Sequence, residues 1–426
     1  MAKKVLQWFG WCVPMCTALL RMELHRELTD STIFEQRVGI GRGTHNVALY
    51  LGIPMQRSLV VIDTASDWTS VASTLCTTCG NYSDPNYDIK LSTTSNYLNC
   101  TFRKCDQCNY KGAACHKQQL YADGSGWTGS MVNELGYIGR LSGESSSDLI
   151  RQNGVNFPLA AELTASGPLV TQVENGIMGF SKASTTFLAA LRSHDKIAKN
   201  AFSLCFATAG GTLVLGGSDT TLHTGTTAIA PMMAGSSSKY YVPVVDLLVA
   251  NQTIGMDAYN YNQGQGVLVD SGSTLSALPA IILPAFSAAF QRVTGLQYSD
   301  STAYSLSAIQ SWPIITLVLQ GTTNNNRVFI DLPPLKYMYA VGDGTFKAAL
   351  RFTGVATGVI GANSMIDLDI LFDLDNQQIS FTPSNCNKTT ETTTVMSKAI
   401  TPKPSASLAT RESAILFFVV LLCFII

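Results

Sequence analysis

The sequence predicts an all-β protein built from two related halves. Between about residues 45 and 386, short apolar runs alternate with Gly, Asn, Asp and Pro, which is typical of short strands joined by turns. An apolar strand that runs into an Asp also occurs twice, once in each half. The length of 426 residues favours two lobes over one small core, and we assign them to residues 45–222 and 223–386.

The apolar runs predict individual strands, whereas helical periodicity is scarce. The predicted strands are 47–51, 58–62, 212–215, 240–249 and 267–269. The best helix candidates are 185–193 and 280–294.

The composition supports a large core and argues against one class of partner. Hydrophobic residues make up 46% of the chain. Charged residues make up only 13%, and the net charge is −1. Electrostatics therefore gives no reason to expect nucleic acid as a partner.

The internal repeat has two parts in each half. Residues 59–66 read LVVIDTAS, and residues 267–273 read VLVDSGS. Each is an apolar strand that ends in Asp, followed by a hydroxyl residue, a small residue and Ser. An apolar strand containing Gly follows downstream in both halves, NGIMG at 175–179 and TGVIG at 357–361. We therefore expect each half to contribute one loop that carries a single Asp.

Two carboxyl groups that face one water molecule can hydrolyse an amide. One must be ionised to accept a proton from the water, and the other must be protonated to hydrogen-bond the carbonyl oxygen of the substrate. Two carboxylates about 3 Å apart cannot both ionise, so they share one proton and titrate as a coupled pair. We predict that Asp63 and Asp270 form such a catalytic pair.

The residues beside each Asp are of the types that this pair needs. Thr64 and Ser271 can bond across to the opposite loop and hold both carboxylates coplanar. Ser66 and Ser273 can donate to the outer carboxylate oxygens. One such tetrad alone would usually be an ordinary Asx turn, and two chance turns are the alternative interpretation. The recurrence of the tetrad after an apolar strand, each with a Gly-bearing partner, favours the catalytic interpretation.

Three further pieces match a known family. They are LGIPMQ at 51–56, YADGSGWTG at 121–129 and FDLDNQQISF at 372–381. With the two tetrads, they make the chain resemble the pepsin family of aspartic peptidases over roughly residues 45–386. The resemblance implies a bilobed β fold, a cleft between the lobes for an extended peptide or protein substrate, an acidic optimum, and no metal or cofactor.

Within that family, the chain is closer to the nepenthesin-like plant branch. The features that carry this similarity are Asp67, the Cys-rich insert 76–115 and FSLC at 202–205. The resemblance implies an aspartic endopeptidase, which we expect to act as a monomer.

Four residues are candidates for contact with the substrate. By the family match, Tyr121 is the flap tyrosine that closes over the substrate. The small residues Ala65 and Gly272 let the backbone turn sharply and approach a substrate. Thr274, next to the second tetrad, is the fourth candidate.

The sequence departs from the family at three positions. Ala65 and Ala122 stand where the family normally has Gly, and the tryptophan that commonly bonds the flap tyrosine would fall at Ser70, with Trp68 two positions early. A methyl group at position 65 lies close to the substrate path and penalises a positive φ. These departures support an alternative function, a catalytically silent binding or inhibitor protein on the same scaffold. A third interpretation is a structural surface glycoprotein.

Eight of the 11 cysteines lie outside the terminal segments. They are Cys76, Cys79, Cys100, Cys105, Cys108, Cys115, Cys205 and Cys386. An even number in an exported chain favours disulfides, although the two Cys-x-x-Cys pairs of the insert could instead form a zinc ribbon. The nepenthesin-like resemblance implies a disulfide-linked insert, which leaves Cys205 and Cys386 to pair with each other. Connectivity within the insert stays open at this point.

The two ends of the chain predict export and anchoring. Residues 1–20 combine a basic start with an apolar run and are interpreted as a signal peptide. Residues 21–44 are a short pro-segment or a disordered start of the mature chain, and the Ser/Thr/Pro-rich residues 387–413 are a stalk. The 13 apolar residues 414–426 are short for a membrane-spanning helix. They indicate a glycolipid-anchor signal, with a short tail helix in the membrane as the alternative.

Four Asn-x-Ser/Thr sequons also indicate export. The predicted glycosylation sites are Asn81, Asn99, Asn251 and Asn387. We therefore expect a protein of the secretory pathway that is extracellular or at the cell surface, anchored to the membrane at its C-terminus.

Overall fold

The computed structural model describes residues 20–22, 36–40, 43–102, 104–108, 113–139, 146–323, 326–354 and 357–387. The predicted anchor signal and the predicted stalk beyond residue 387 lie outside the described residues. Residues 1–19 of the predicted signal peptide and most of the predicted pro-segment also lie outside them.

The regular secondary structure of the described residues is mainly β-strand. Those of the N-terminal half are β1 (Leu20–Met22), β2 (Gln36–Ile40), β3 (His45–Leu51), β4 (Gln56–Asp63), β5 (Thr69–Ala72), β6 (Asn96–Tyr97), β7 (His116–Leu120), β8 (Gly126–Tyr137), β9 (Val155–Ser166), β10 (Gly176–Gly179), β11 (Ala201–Ala207) and β12 (Gly210–Leu215). Those of the C-terminal half are β13 (Ala228–Pro231), β14 (Tyr241–Val242), β15 (Val244–Val249), β16 (Gln252–Thr253), β17 (Val267–Val269), β18 (Ser276–Pro279), β19 (Tyr304–Ser305), β20 (Ile315–Gln320), β21 (Arg327–Leu332), β22 (Met338–Gly342), β23 (Thr345–Ala348), β24 (Leu350–Thr353), β25 (Val359–Ile360), β26 (Leu368–Asp373) and β27 (Gln378–Pro383).

Helices are short and lie between the strands. The α-helices are α1 (Ser146–Asn153), α2 (Phe187–Ser193), α3 (Leu283–Thr294), α4 (Leu306–Ile309), α5 (Pro334–Tyr337) and α6 (Ala362–Met365). Turns of 3₁₀-helix occupy Gly167–Val170, Thr220–Leu222, Ala258–Asn260 and Ala280–Ile282. In the part of the chain that the structure describes, no helix has the length and apolarity that a membrane crossing requires.

The strands form one large sheet in the N-terminal half, smaller sheets in the C-terminal half, and a sheet shared by both. The N-terminal sheet has the order β2-β3-β4-β10-β5-β9-β8-β6, with β7 paired to β8. The C-terminal sheets are β14-β17-β25-β18-β24, β16-β15-β20-β21 and β19-β23-β22. The shared sheet, β1-β12-β11-β26-β27-β13, joins the two halves. The all-β bilobed fold predicted from the sequence is therefore confirmed.

The burial of the strands explains the apolar patterns of the sequence. In β21, apolar residues that are buried alternate with residues that are exposed, because successive side chains of a strand point to opposite faces. Every residue of β11 is buried, because this strand lies inside the shared sheet. The predicted strand 240–249 is divided into β14 and β15 by Pro243, which has no N–H to donate to a ladder.

An aromatic cluster connects the two lobes. Phe202 of β11 and Phe372 of β26 stack with ring centroids 4.6 Å apart. Phe180 lies 5.0 Å from Phe202, and Tyr240 lies 4.7 Å from Phe372. All four side chains are fully buried. Aromatic pairs of this kind contribute about 0.5–1.5 kcal/mol each beyond their buried area, so the cluster resists separation of the lobes.

The Gly-bearing strands of the repeat lie directly beside the Asp-bearing strands. β10 pairs in parallel with β4, and β25 pairs in parallel with β17. Gly179 and Gly361 occupy corresponding places, and a Cβ atom at either would lie 2.5 Å from a backbone oxygen of the adjacent Asp loop. Only glycine allows this approach, so the two loops are packed tightly from behind.

All eight cysteines outside the terminal segments are paired as disulfides. The insert contains Cys76–Cys79, Cys100–Cys108 and Cys105–Cys115. The fourth disulfide is Cys205–Cys386, which ties β11 to the end of the C-terminal lobe. The pairing leaves no free thiolate in the insert for a zinc ribbon.

Candidate active site

Asp63 and Asp270 occupy equivalent places in the two halves. Asp63 is the last residue of β4, and Asp270 directly follows β17. Both carboxyl groups line a single cleft of about 580 Å³. Both residues are nevertheless largely buried, with 6% and 8% of their surface exposed.

Each carboxylate is held by a corresponding pair of hydrogen bonds, and Oδ1 of Asp270 also accepts from the backbone N–H of Ser273 at 3.3 Å. In each tetrad, the backbone N–H two positions after the Asp donates to Oδ1, and the hydroxyl three positions after it donates to Oδ2. For Asp63 these distances are 2.8 Å and 2.5 Å. For Asp270 they are 2.9 Å and 2.7 Å. The hydroxyls are those of Ser66 and Ser273, and each donates to Oδ2 of the Asp in its own tetrad.

The two Asp loops are joined by crossed hydrogen bonds from Thr64 and Ser271. The Thr64 hydroxyl accepts from the backbone N–H of Ser271 at 3.0 Å and donates to the carbonyl oxygen of Val269 at 2.9 Å. The Ser271 hydroxyl accepts from the backbone N–H of Thr64 at 3.1 Å and donates to the carbonyl oxygen of Ile62 at 2.7 Å. Both side chains are completely buried, so these bonds are protected from competition by water.

Burial and the neighbouring acid change the protonation of Asp63. Burial, and next the negative charge of Asp270, raise the pKa of Asp63 from 3.8 to about 7. The Ser66 hydroxyl, the backbone N–H of Ala65 and the charge of Lys239 act in the opposite direction. A carboxyl with this pKa keeps a proton through the acidic range, beside a second carboxyl that lines the same cleft.

The small residues of the two tetrads have different roles. A Cβ atom at position 272 would lie 2.6 Å from Cγ of Asp63, so Gly272 is needed for the close packing of the loops. Ala65, its counterpart, does not adopt a positive φ, and its methyl group lines the cleft. The penalty that the sequence suggested for a positive φ at Ala65 therefore does not arise. Thr274 lines the same cleft.

A hairpin covers the N-terminal side of the cleft. It is formed by β7 and β8, which pair antiparallel, and its tip is fixed by Asp123, whose Oδ1 accepts from the backbone N–H and the hydroxyl of Ser125 at 2.9 Å and 2.6 Å. Gly124 lies at the tip with a φ of +82°. Tyr121 lines the cleft at the base of the tip. Burial, and next the charge of Asp63, raise the pKa of Tyr121.

Comparison with known protein families shows to which family the chain belongs. Residues 45–384 match the family model described as eukaryotic aspartyl protease, which covers nearly the whole two-lobed body. The chain belongs to the pepsin-like aspartic proteases. The resemblance found in the sequence is thereby confirmed.

Known proteases of this family are similar to the chain at low identity. The protein named aspartic protease in guard cell 2, from Arabidopsis thaliana, is 25% identical over 81% of this chain and 73% of its own length. A beta-secretase from Strongylocentrotus purpuratus is 24% identical over 82% of this chain and 67% of its own length. Nepenthesin-1 from Nepenthes gracilis is 22% identical over 83% of this chain and 80% of its own length.

This aspartic protease differs from its family in the partner of the flap tyrosine. Ser70 is buried in β5, where the sequence lacks the common tryptophan. The indole N–H of Trp127, on the returning strand of the hairpin, donates to the Tyr121 hydroxyl at 3.1 Å instead. Trp127 is 2% exposed and packs in one cluster with Trp68. Sequence reasoning missed this residue, although the Trp in YADGSGWTG was its signal.

Lys239 is a second residue of the site that the sequence prediction missed. Its side chain lines the cleft with both aspartates, and its charge lowers the pKa of Asp63. No motif marks it, because it belongs to the segment before β14 and reaches the cleft only through strand pairing. In the described part of the protease, no group of three or more His, Cys, Asp and Glu side chains is arranged to hold a metal ion.

Proposed function

We propose that this protein is an aspartic endopeptidase in which Asp63 and Asp270 activate the attacking water. The observation that supports this most is the crossed bonding of Thr64 and Ser271. These bonds hold two carboxyl-bearing loops against each other in one cleft. Each carboxylate accepts a corresponding backbone N–H and hydroxyl bond from its own tetrad. Two unrelated Asx turns would not require this two-fold arrangement.

The proposed mechanism starts with one proton on the carboxyl pair. Burial and the neighbouring acid raise the pKa of Asp63, so the pair keeps one shared proton at acidic pH. The ionised carboxylate accepts a proton from a water molecule between the two groups, and the protonated carboxyl donates a hydrogen bond to the carbonyl oxygen of the peptide. The water oxygen attacks the carbonyl carbon. The carboxyl that accepted the proton of the water then donates it to the leaving nitrogen as the C–N bond breaks.

We propose an extended peptide or protein as the substrate. The cleft runs beneath the hairpin, and Tyr121, Ala65, Gly272 and Thr274 all line it. The bond from Trp127 holds the Tyr121 hydroxyl in place, and Tyr121 lines the same cleft as the carboxyl pair. The flap can therefore close over a bound peptide and exclude water from the reacting bond.

We propose a secreted or cell-surface location, with glycolipid anchoring at the C-terminus. The buried disulfide Cys205–Cys386 and the three disulfides of the insert suit an oxidising compartment. The four predicted glycosylation sites, Asn81, Asn99, Asn251 and Asn387, are all exposed. Their exposure supports glycosylation, because an acceptor Asn must be reachable by the transferase.

A test of the proposed function is cleavage by the full-length chain produced in a secretory host. We expect it to cut a denatured protein between pH 3 and 6 and to be inhibited by a statine-containing peptide. Asp63→Asn and Asp270→Asn each keep the size of the side chain, and each is expected to lower kcat by at least about a thousandfold. Asp343→Asn, at an exposed turn, is the matched control and is expected to keep full activity.

The same experiment separates the enzyme from the catalytically silent binding protein. Turnover that survives both active-site substitutions would contradict the proposed mechanism. Tight binding of a protein partner without turnover, in a correctly folded preparation, would favour the silent alternative that Ala65 and Ser70 suggested.

A further inference from the structure

Lys239 faces the same side of the sheet as Asp270. β14 and β17 pair antiparallel, with Tyr241 opposite Leu268. The ladder continues by one bond, because the backbone N–H of Val269 donates to the carbonyl oxygen of Tyr240 at 2.8 Å. Directly opposite residues of an antiparallel pair share a face, with Cβ atoms about 5 Å apart. The next pair in this register is Lys239 and Asp270, and both side chains line the cleft.

The segment that carries Lys239 is fixed on both sides. The Ser238 hydroxyl donates to Oδ1 of Asp67 at 2.6 Å, and the carbonyl oxygen of Ser238 accepts from the backbone N–H of Lys182 at 2.7 Å. On the other side, the Tyr240 hydroxyl donates to the carbonyl oxygen of Phe180 at 2.7 Å. These bonds attach the segment to the N-terminal lobe, so Lys239 enters the cleft from a rigid backbone.

Lys239 forms no salt bridge with any of the described residues. Among the described residues that line the cleft, Lys239 is the only cation, and the acids are Asp63, Asp123 and Asp270. Asp123 is engaged by Ser125 at the tip of the hairpin. The carboxyl pair carries one proton in the reactive state, and its remaining negative charge is held by the hydrogen bonds of the tetrads rather than by a salt bridge to Lys239. When a peptide fills the cleft and displaces water, an ammonium without a partner is costly to bury.

We propose that Lys239 selects a substrate with an acidic side chain, Asp or Glu. This side chain lies within two residues of the cleaved bond, in the part of the cleft that Leu268 lines. The inference rests on the proposed function, because it names the class of peptide that the same cleft accepts. The residues of the C-terminal half that line the cleft include the apolar Leu268, Leu275 and Val359. Such walls suit the methylene groups of a Glu side chain, whose carboxylate then reaches the Lys239 ammonium.

The test measures a preference for Glu over Gln, which have the same size. Peptides with statine in place of the cleaved bond carry Glu or Gln at each of the two positions on either side, and their Kd values are measured on the full-length protein. At pH 6 we expect Glu to bind about tenfold more tightly than Gln at one position. At pH 3.5 the ratio is expected to approach one, because the peptide Glu, with an ordinary pKa near 4.3, becomes protonated.

Substitutions then attribute the preference to Lys239. Lys239→Met is expected to remove the ratio, Lys239→Arg to keep it, and Lys239→Glu to reverse it toward a peptide with Lys at the same position. Lys182→Met is the matched control. The backbone N–H of Lys182 bonds to Ser238 of the same segment, but Lys182 does not line the cleft, so this variant is expected to keep the ratio.

The outcomes distinguish this inference from the proposed function. Binding of statine peptides does not require turnover. If the protein cleaves no substrate, the proposed endopeptidase function is refuted, but the ratio of the Kd values for Glu and Gln peptides can still be measured. A ratio near one at every position of the wild-type protein overturns the inference, as does a ratio that survives in Lys239→Met. A pH–rate profile that moves in Lys239→Met while the ratio stays constant also overturns it, because Lys239 then acts only on the carboxyl pair.

Discussion

Asp63→Asn is expected to stabilise the folded protein at pH 8 and to leave its stability unchanged at pH 4. The ionised Asp63 carboxylate is unfavourable in the fold, because it is buried and lies beside a second acid, Asp270. Asn cannot ionise, yet its Oδ1 can still accept from the backbone N–H of Ala65 and its amide can bond the Ser66 hydroxyl. The substitution therefore removes the charge and keeps the hydrogen bonds.

The size of this effect follows from the pKa of Asp63. Between pH 3.8 and about 7, the folded protein holds a proton that the unfolded chain has released, so stability falls as the pH rises. Each pH unit in this interval changes the free energy of unfolding by about 1.4 kcal/mol, which gives at most about 4 kcal/mol in total. For a folded body of this size, 4 kcal/mol corresponds to a rise in Tm of about 5 °C.

The assay is thermal unfolding of the wild type and of Asp63→Asn at a fixed scan rate from pH 4 to pH 8. We expect the difference in Tm to be near zero at pH 4 and to grow up to about pH 7. Asp343→Asn is the control, because this Asp is exposed and its φ of 50° is one that Asn also tolerates. A Tm difference that is the same at pH 4 and pH 8 would refute the claim that the buried charge is unfavourable.

Two further predictions concern the flap and the packing of the loops. Trp127→Phe removes the N–H that Tyr121 accepts, so we expect kcat/KM for a fluorogenic peptide to fall about fivefold to tenfold. In a Tyr121→Phe background the same substitution is expected to change little, and an equal fall there would contradict the hydrogen-bond role. Gly272→Ala would place a methyl 2.6 Å from Cγ of Asp63, so we expect kcat to fall at least about a hundredfold while circular dichroism shows a folded protein. Ala65→Gly is the reciprocal control and is expected to retain activity; equal rates for all three proteins would contradict the close packing of the loops.

The sequence predicted the parts of the molecule that depend on short segments. The strands around both Asp residues, the helices near 187–193 and 283–294, and the donor types of the tetrads all follow from residues within a few positions of each other. Even the division of the strand 240–249 has a local cause, because Pro243 cannot donate to a ladder. These features are encoded by periodicity and by residue type, which a single sequence displays.

The parts that the sequence did not predict depend on pairing over long distances. The connectivity of the six cysteines in the insert follows from how the loops of the insert fold together, and their spacing permits several arrangements. Lys239 enters the cleft because β14 pairs with β17, and nothing in its own neighbours marks it. Trp127 lies within the flap motif, but its contact with Tyr121 depends on the geometry of the hairpin.

The two main departures from the family pattern do not have the consequence that the silent alternative requires. The tolerance for a methyl group differs between the two loops, since Ala65 has an ordinary backbone conformation whereas position 272 has no room for a Cβ atom. The residue that must be glycine is therefore glycine, and the residue that is alanine accommodates its methyl. The indole that is absent at Ser70 is replaced by that of Trp127, which gives Tyr121 a donor of the same kind. A cleft that no longer served catalysis would have no need for either compensation, and we therefore infer that the endopeptidase is the better explanation of both.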